Sequence, residues 1–257
     1  MTQYIRFAIL SCLVFLILTG TAFAERPLPS VAEVNKLLET YDDMWRGTSS
    51  KSTLTMNIKT VNWERSLQMD CWSLGKDFTF VKVLKPLKER DSATLKVKKE
   101  VYNYLPATDR TIKITSAMMM GAWMGSHLTN DDLVRDSRMS DDYFAKATFV
   151  GNRDGVDVTE ITCTPKPDAP VVWGKVIATY RNSDRQPIKL VFFDEDGKKV
   201  RTMTLSGQKI VSGKNIPTIM KIIPEDKPGE YTELKYDSIK FGVKLTEDFF
   251  SLNQLRR

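Results

Sequence analysis

The sequence predicts a mainly β protein of α+β type, built on one large curved antiparallel sheet. Three observations carry this: a run of twelve or thirteen short segments in which apolar residues alternate with polar ones, Asp-Gly and Ser-Gly pairs between them, and a single amphipathic helix ahead of them. With 257 residues, 42% apolar and 10% aromatic content, the chain has enough apolar material for a core, and no linker rich in Pro, Gly or Ser divides it. Residues 25–257 therefore read as one domain.

The first 24 residues read as a cleaved secretory signal peptide. Arg6 precedes the apolar run Phe7 to Leu18, and Ala22-Phe23-Ala24 has the form of a cleavage site. The run is shorter than the roughly 20 residues a spanning helix needs. Glu25 rather than a Cys stands immediately after the cut, leaving the mature N-terminus no thiol to carry a lipid, so the mature protein is expected to be soluble and periplasmic. Removing Arg6 lowers the net charge of +6 by one, and the remaining Lys and Arg are spread among strands and turns rather than clustered. Nucleic acid is not an expected partner.

Pro29-Ser30 followed by Glu33 has capping-box form, and Val31, Val34, Leu37, Leu38, Tyr41, Met44 and Trp45 recur at helical spacing, so residues 30–45 predict a helix stopped by Gly47. From Lys51 the period changes to two. Strands are expected at Lys51 to Lys59, Glu64 to Trp72, Asp77 to Leu84, Thr94 to Lys98, Val101 to Leu105 and Thr111 to Thr115. After a break they resume at Ala147 to Gly151, Val156 to Thr164, Trp173 to Arg181, Ile188 to Phe193, Val200 to Ile210, Ile216 to Ile223 and Tyr231 to Val243. Asp154-Gly155, Asp196-Gly197 and Ser212-Gly213 supply the positive φ that tight hairpins require. In the last strand Leu234 and Tyr236 are out of phase with Ile239, Phe241 and Val243, which predicts a bulge near Asp237-Ser238. Thr246 is expected to cap a final helical turn.

The break, Ser116 to Tyr143, holds four Met and a Trp between Met118 and Met124, with Gly121 within the cluster and Gly125 just after it. Met is unbranched and polarizable, so such a cluster suits either ordinary core filling or an adaptable apolar lining. Its position in the longest non-strand insertion favours binding. Asn130 and Ser140 are expected to cap two short helices, with the acids that follow them complementing the helix dipoles.

Cys71 and Cys163 remain after cleavage as a candidate disulfide in an oxidising compartment, with two buried free thiols as the alternative. His127 is the chain's single His and has no candidate nucleophile in a recognised motif, and no phosphate loop or metal-ligand spacing is present. An enzyme is not expected, nor are a metal or a cofactor.

The residues resemble a known family. Tyr102-Asn103-Tyr104-Leu105-Pro106 with Arg110-Thr111-Ile112-Lys113-Ile114, then Trp123-Met124-Gly125-Ser126 and Asn130-Asp131-Asp132-Leu133, are similar to the strand pair and following segment of the LolA-like outer-membrane lipoprotein-sorting proteins. Trp123 stands where Phe is usual. Asp196-Gly197-Lys198 with Arg201-Thr202, Ile216-Pro217-Thr218, and Phe249-Phe250-Ser251 with Leu255 extend the resemblance over the mature chain. No residue is matched to the lid-locking arginine of the sorting carrier.

The resemblance implies an incomplete antiparallel β-barrel whose hydrophobic cavity, covered by helices, holds acyl chains of lipoproteins or membrane lipids. It implies carriage between inner and outer membranes, with an ABC- or RND-type inner-membrane transporter and an outer-membrane acceptor as partners. On this reading Met118, Met119, Met120, Trp123 and Met124 line or gate the cavity, helped by Leu38, Tyr41 and Trp45 from the helix. The alternative is an accessory or sensor module of the same fold that binds an RND-type exporter or another membrane protein.

Overall fold

The computed structural model describes residues 26–135, 139–169 and 171–256. The signal peptide expected at residues 1–24 lies outside them. Among the described residues no helix is long and apolar enough to cross a membrane.

The chain opens with helix α1, Val31–Asp42, held at its start by the expected box: the Ser30 hydroxyl accepts from the Glu33 amide and the Glu33 carboxylate accepts from the Ser30 amide. The helix ends earlier than its periodicity implies. Asp43 forms the C-cap, and Met44 and Trp45 are buried from the turn that follows, so the apolar spacing outlasts the helix; Gly47 adopts positive φ beyond that turn.

Thirteen strands follow: β1 Ser49–Lys59, β2 Glu64–Leu74, β3 Phe78–Lys85, β4 Ala93–Val97, β5 Glu100–Leu105, β6 Arg110–Ile114, β7 Tyr143–Arg153, β8 Val156–Pro165, β9 Lys175–Arg181, β10 Gln186–Phe193, β11 Lys199–Val211, β12 Lys214–Pro224 and β13 Tyr231–Phe241. They form one sheet in the order β6-β5-β4-β3-β2-β1-β13-β12-β11-β10-β9-β8-β7. Every adjacent pair is antiparallel. The predicted bulge is present: Thr53 faces Ser238 while Leu54 faces Tyr236, leaving Asp237 as the extra residue.

This order fixes where the break must run. The first and last strands are neighbours in mid-sheet, all other joins but one are between adjacent strands, and the two edges are β6 and β7, which follow each other in sequence. The sheet is not closed into a barrel. The chain leaves one edge after Ile114 and re-enters at the other at Tyr143, so among the described strands the connection between the two edges is the segment 115–142.

The apolar alternation of the strands fills the concave side. Leu54, Met56 and Ile58 of β1, Leu67 and Met69 of β2, Val81 and Val83 of β3 and Met203 and Leu205 of β11 share one core with Val34, Leu38, Tyr41, Trp45 and Trp123. A second, smaller core lies elsewhere on β3 and β4, where Phe250 and Leu255 from the C-terminal turns cover Phe78, Phe80 and Leu95. That is why β3 is buried over most of its length rather than on alternate residues. The last turn, Glu247–Phe249, forms as expected, although Thr246 makes no side-chain cap hydrogen bond.

Candidate functional site

The floor of the concave side carries a polarity gradient written into the register of three strands. Ser50 of β1 pairs with Ser73 of β2, which pairs with Thr79 of β3. Two residues along, the row is Ser52, Cys71 and Val81, and two further it is Leu54, Met69 and Val83. Because side chains repeat on one face every second residue, these rows share a face. One end of the floor is hydroxylic and the other is hydrocarbon.

Over this floor lies a cavity of about 120 Å³, walled by Trp45, Leu54, Val81, Met203, Met220 and Leu234 and roofed by Trp123, Leu128, Asp132 and Leu133. Its polar end is closed by Asp42, Arg46, Ser50, Ser52, Ser73 and Thr79. Trp45 stacks flat on Tyr236 there, with ring centroids 6.2 Å apart, and donates from Nε1 to the Pro217 carbonyl at 2.8 Å.

The roof is the segment between β6 and β7. It contains two 3₁₀ turns, Ser116–Met118 and Trp123–Gly125, and two short helices, α2 at Asn130–Arg135 and α3 at Met139–Asp142. Its isolated bridge, Ala122 with Thr129, is internal to the segment. Side chains tie it to the sheet. Trp123 is 2% exposed and donates from Nε1 to Thr94 Oγ1 at 3.0 Å. Arg65 of β2 pairs with Glu89 at 3.1 Å and donates to the Met124 carbonyl. The His127 ring lies between Thr232 Oγ1 at 2.8 Å and Glu230 Oε2 at 2.9 Å, and the bond from His127 leads the influences holding the Glu230 carboxyl below its usual range.

The central tie is Arg201 on β11. Its guanidinium donates to both oxygens of Asp132 at 2.7 and 2.6 Å and to the His127 carbonyl at 3.1 Å. It lies against the faces of Trp173 at 4.5 Å and Phe192 at 4.3 Å, with its side chain 4% exposed. A planar fork matched to a carboxylate and flanked by two aromatic faces fixes α2 in one position over the sheet.

Helix caps at the roof differ from the expected ones. Thr129, not Asn130, caps α2: its hydroxyl accepts from the Asp132 amide at 3.2 Å and the Asp132 carboxylate accepts from the Thr129 amide at 2.7 Å. Asn130 instead donates from its side chain to the Met118 carbonyl at 3.0 Å. The start of α3 is served by Asp42 at the end of α1 rather than by Ser140. Asp42 accepts from the amides of Met139 and Ser140 at 3.0 and 3.1 Å and from the Ser140 hydroxyl at 2.6 Å. Burial pushes the Asp42 carboxyl up to about 6, against these hydrogen bonds and the nearby Lys76 charge, which pull it down.

Of the residues singled out from sequence, Trp45 and Trp123 wall the cavity. Leu38 and Tyr41 are buried in the main core, and Tyr41 faces a smaller void beside Asp132 and Trp173. Met124 packs against the core from the lid, and Met119 packs on Val101 and Ile114 near the β6 edge. Met118 and Met120 are 40% and 54% exposed. Met118 ends the 3₁₀ turn and Met120 lies in the turn that follows it, and both face outward from the roof. Cys71 and Cys163 are free thiols in this structure, on β2 and β8, strands separated by six others in the sheet order. Burial pushes their thiols up to about 11 and about 12; at Cys71 the Arg46 charge and a Ser52 hydrogen bond pull the other way. Arg65, Asp42 and Arg46 escaped sequence reasoning, and Arg201 and Asp132 entered it only through the family resemblance and a helix-start acid, because the ties all five make run to partners distant in sequence.

A family model described as "Uncharacterized protein" matches residues 75–257, most of the chain. The chain belongs to that family, and its fold is LolA-like. A putative outer membrane lipoprotein-sorting protein domain from Vibrio parahaemolyticus superposes with a TM-score of 0.76 at 21% identity, covering 89% of this chain and 100% of the other. A DUF1329 family protein from Desulfovibrio piger gives 0.79 at 20% identity, covering 88% and 98%, and a LolA superfamily protein from Nitrosomonas europaea 0.73 at 19%, covering 86% and 98%. No curated protein matches the chain in sequence. At these identities the structural likeness establishes the LolA-like fold and nothing finer.

Proposed function

We propose that the protein is a periplasmic carrier that takes acyl chains of lipoproteins or lipids into the concave hollow and moves them between the inner and outer membranes. The observation that carries this reading is the construction of the roof. It covers an apolar cavity, it joins the two free edges of the sheet, and its ties to the strands are made by side chains. Such a roof can lift as a unit without unpairing a strand.

The closed cavity of about 120 Å³ is well below the roughly 300 Å³ at which small-molecule pockets begin. Uptake of a long acyl chain therefore needs the roof to rise. Burying ten methylenes gains about 8 kcal/mol, enough to offset the loss of one or two charged ties. Release is the reverse, with the chain passing to a membrane-bound acceptor as the ties re-form. An ABC- or RND-type transporter as donor and an outer-membrane acceptor fit this cycle. The LolA-like likenesses support a binding and carrying role over catalysis.

The test is native mass spectrometry of the protein purified from periplasm under mild conditions, followed by lipid extraction. A stoichiometric lipid or acylated peptide is the expected result. A protein that is always empty and takes up no fluorescent acyl probe overturns the carrier reading in favour of an accessory module that binds a membrane protein.

A further inference from the structure

Among the described residues four arginines are buried or half-buried: Arg46, Arg65, Arg181 and Arg201. Three have a carboxylate partner, Glu89 for Arg65, Asp184 for Arg181 and Asp132 for Arg201. Among the described residues Arg46 forms no ion pair, and its one side-chain hydrogen bond goes to Thr79 Oγ1 at 2.8 Å. It is also the arginine that lines the cavity beneath Trp123, at the hydroxylic end of the floor.

The acid at that end does not neutralise it. Asp42 faces the same cavity, but its oxygens accept three hydrogen bonds from Met139 and Ser140, and the cation beside it is Lys76, at 3.8 Å. The neighbouring hydroxyls are committed to the protein too: Ser50 is bonded to Ser73 at 2.8 Å and to the Trp45 carbonyl at 3.1 Å. Arg46 is left with a fork of N–H donors at the polar end of an apolar hollow. A guanidinium has five such donors in a plane and matches an anion carrying two oxygens.

We propose that the hollow binds an acyl amphiphile with an anionic head, its carboxylate or phosphate held by Arg46 and its chain laid along the Leu54 and Val81 rows toward Trp123. The proposal rests on the carrier reading and names the class of cargo. It also gives the cargo an orientation, since Ser50, Ser73 and Thr79 leave the head end of the floor polar while its opposite end is the hydrocarbon row of Leu54, Met69 and Val83.

The test compares three fluorescent probes of equal chain length on the intact protein: a fatty acid at pH 8, its methyl ester and the corresponding alkyl phosphate. At least one anion is expected to bind roughly ten- to a hundredfold more tightly than the ester, the range of a charge-assisted pair. Arg46→Gln should abolish that preference while leaving ester affinity unchanged, and Arg46→Lys should restore part of it. Equal binding of acids and ester by the wild type overturns the anionic-head assignment but leaves the carrier reading standing. Displacement of the probes by inorganic phosphate alone overturns the requirement for a chain. Failure of all three probes to bind removes the carrier reading, and this proposal with it.

Discussion

Asp132→Asn tests whether the roof is a lid. The substitution keeps the size and capping capacity of residue 132 but withdraws the charge facing Arg201, whose side chain is 4% exposed. Removing one partner of a buried pair costs roughly 3 to 5 kcal/mol, because the other charge is left uncompensated. Arg201 keeps the His127 carbonyl and the faces of Trp173 and Phe192, so the lower end applies, about 3 kcal/mol. With the roof raised Arg201 is hydrated, so the cost falls on the closed state alone and the open population rises about a hundredfold. Two readouts follow it. The His127 amide, which donates to Thr232 of β13 at 3.0 Å, should exchange with solvent about a hundredfold faster. Cys71, which lines the cavity, should become reactive to a thiol reagent while the amides of β1 and β13 keep their protection. A variant that melts at lower temperature with His127 exchange and Cys71 labelling unchanged would show that the pair holds the fold rather than a lid, and would refute the reasoning.

Joint replacement of Trp123 and Met124 by Ser should weaken acyl-probe binding while the β-sheet circular dichroism stays intact; removal of the buried Trp123 ring alone costs about 3 to 5 kcal/mol at the roof. Ser at exposed Met118 and Met120 should leave thermal stability within about 0.5 kcal/mol and probe affinity unchanged, and a large loss there would show that the two turn inward when cargo binds. The folded carboxyl of Asp42 lies at about 6 against an ordinary 3.8, so the folded protein holds this proton more tightly than the unfolded chain does. Its contribution to stability is full below about pH 4, declines as pH rises through about 6 and is flat above, a change of at most about 3 kcal/mol. Melting curves of the wild type and Asp42→Asn from pH 4 to 7 should show a gap that changes over that window, and a constant gap would contradict the assignment. Cys163, buried among core side chains, should resist labelling in Asp132→Asn until global unfolding, unlike Cys71.

The strands and α1 were legible because their signals are local. Alternation, the Ser30 and Glu33 box, the paired turn residues and the phase break at Asp237 each sit within a few residues of one another. Of the two hairpin pairs with positive φ at both positions, Asp154-Gly155 and Ser212-Gly213, neither needed tertiary information to read. The roof was half legible. Its length and apolar content marked it as a cover, but composition does not say which face of a one-layer segment turns inward, so Met118 and Met120 read like Trp123. The caps at Thr129 and Asp42 show the same limit in two degrees. Thr129 and Asp132 are three apart and form a local signal that the stronger-looking Asn130 obscured, whereas Asp42 reaches α3 across 97 positions. Arg201 and Asp132 meet only because the sheet order places β11 beneath the crossing segment.

On the carrier reading, charged ties suit a roof that opens and closes better than an apolar seal would. A purely hydrocarbon contact between lid and hollow would compete with the cargo for the same surface, and its energy would be spread over many small contacts without fixing the lid's position. The Arg201 and Asp132 fork contributes little net stability against a hydrophobic pair of the same shape, since two charges must be desolvated to form it. Its value is directional: it closes in one geometry and leaves Trp123, Leu128 and Leu133 to face the cavity. Replacing both partners with Met and Leu should therefore preserve the melting temperature, or raise it, while slowing exchange of bound probe, because the lid would then rest on contacts that no longer release as a unit. Faster exchange in the double variant would place the control of opening elsewhere, at Arg65 or at the Asp42 cap.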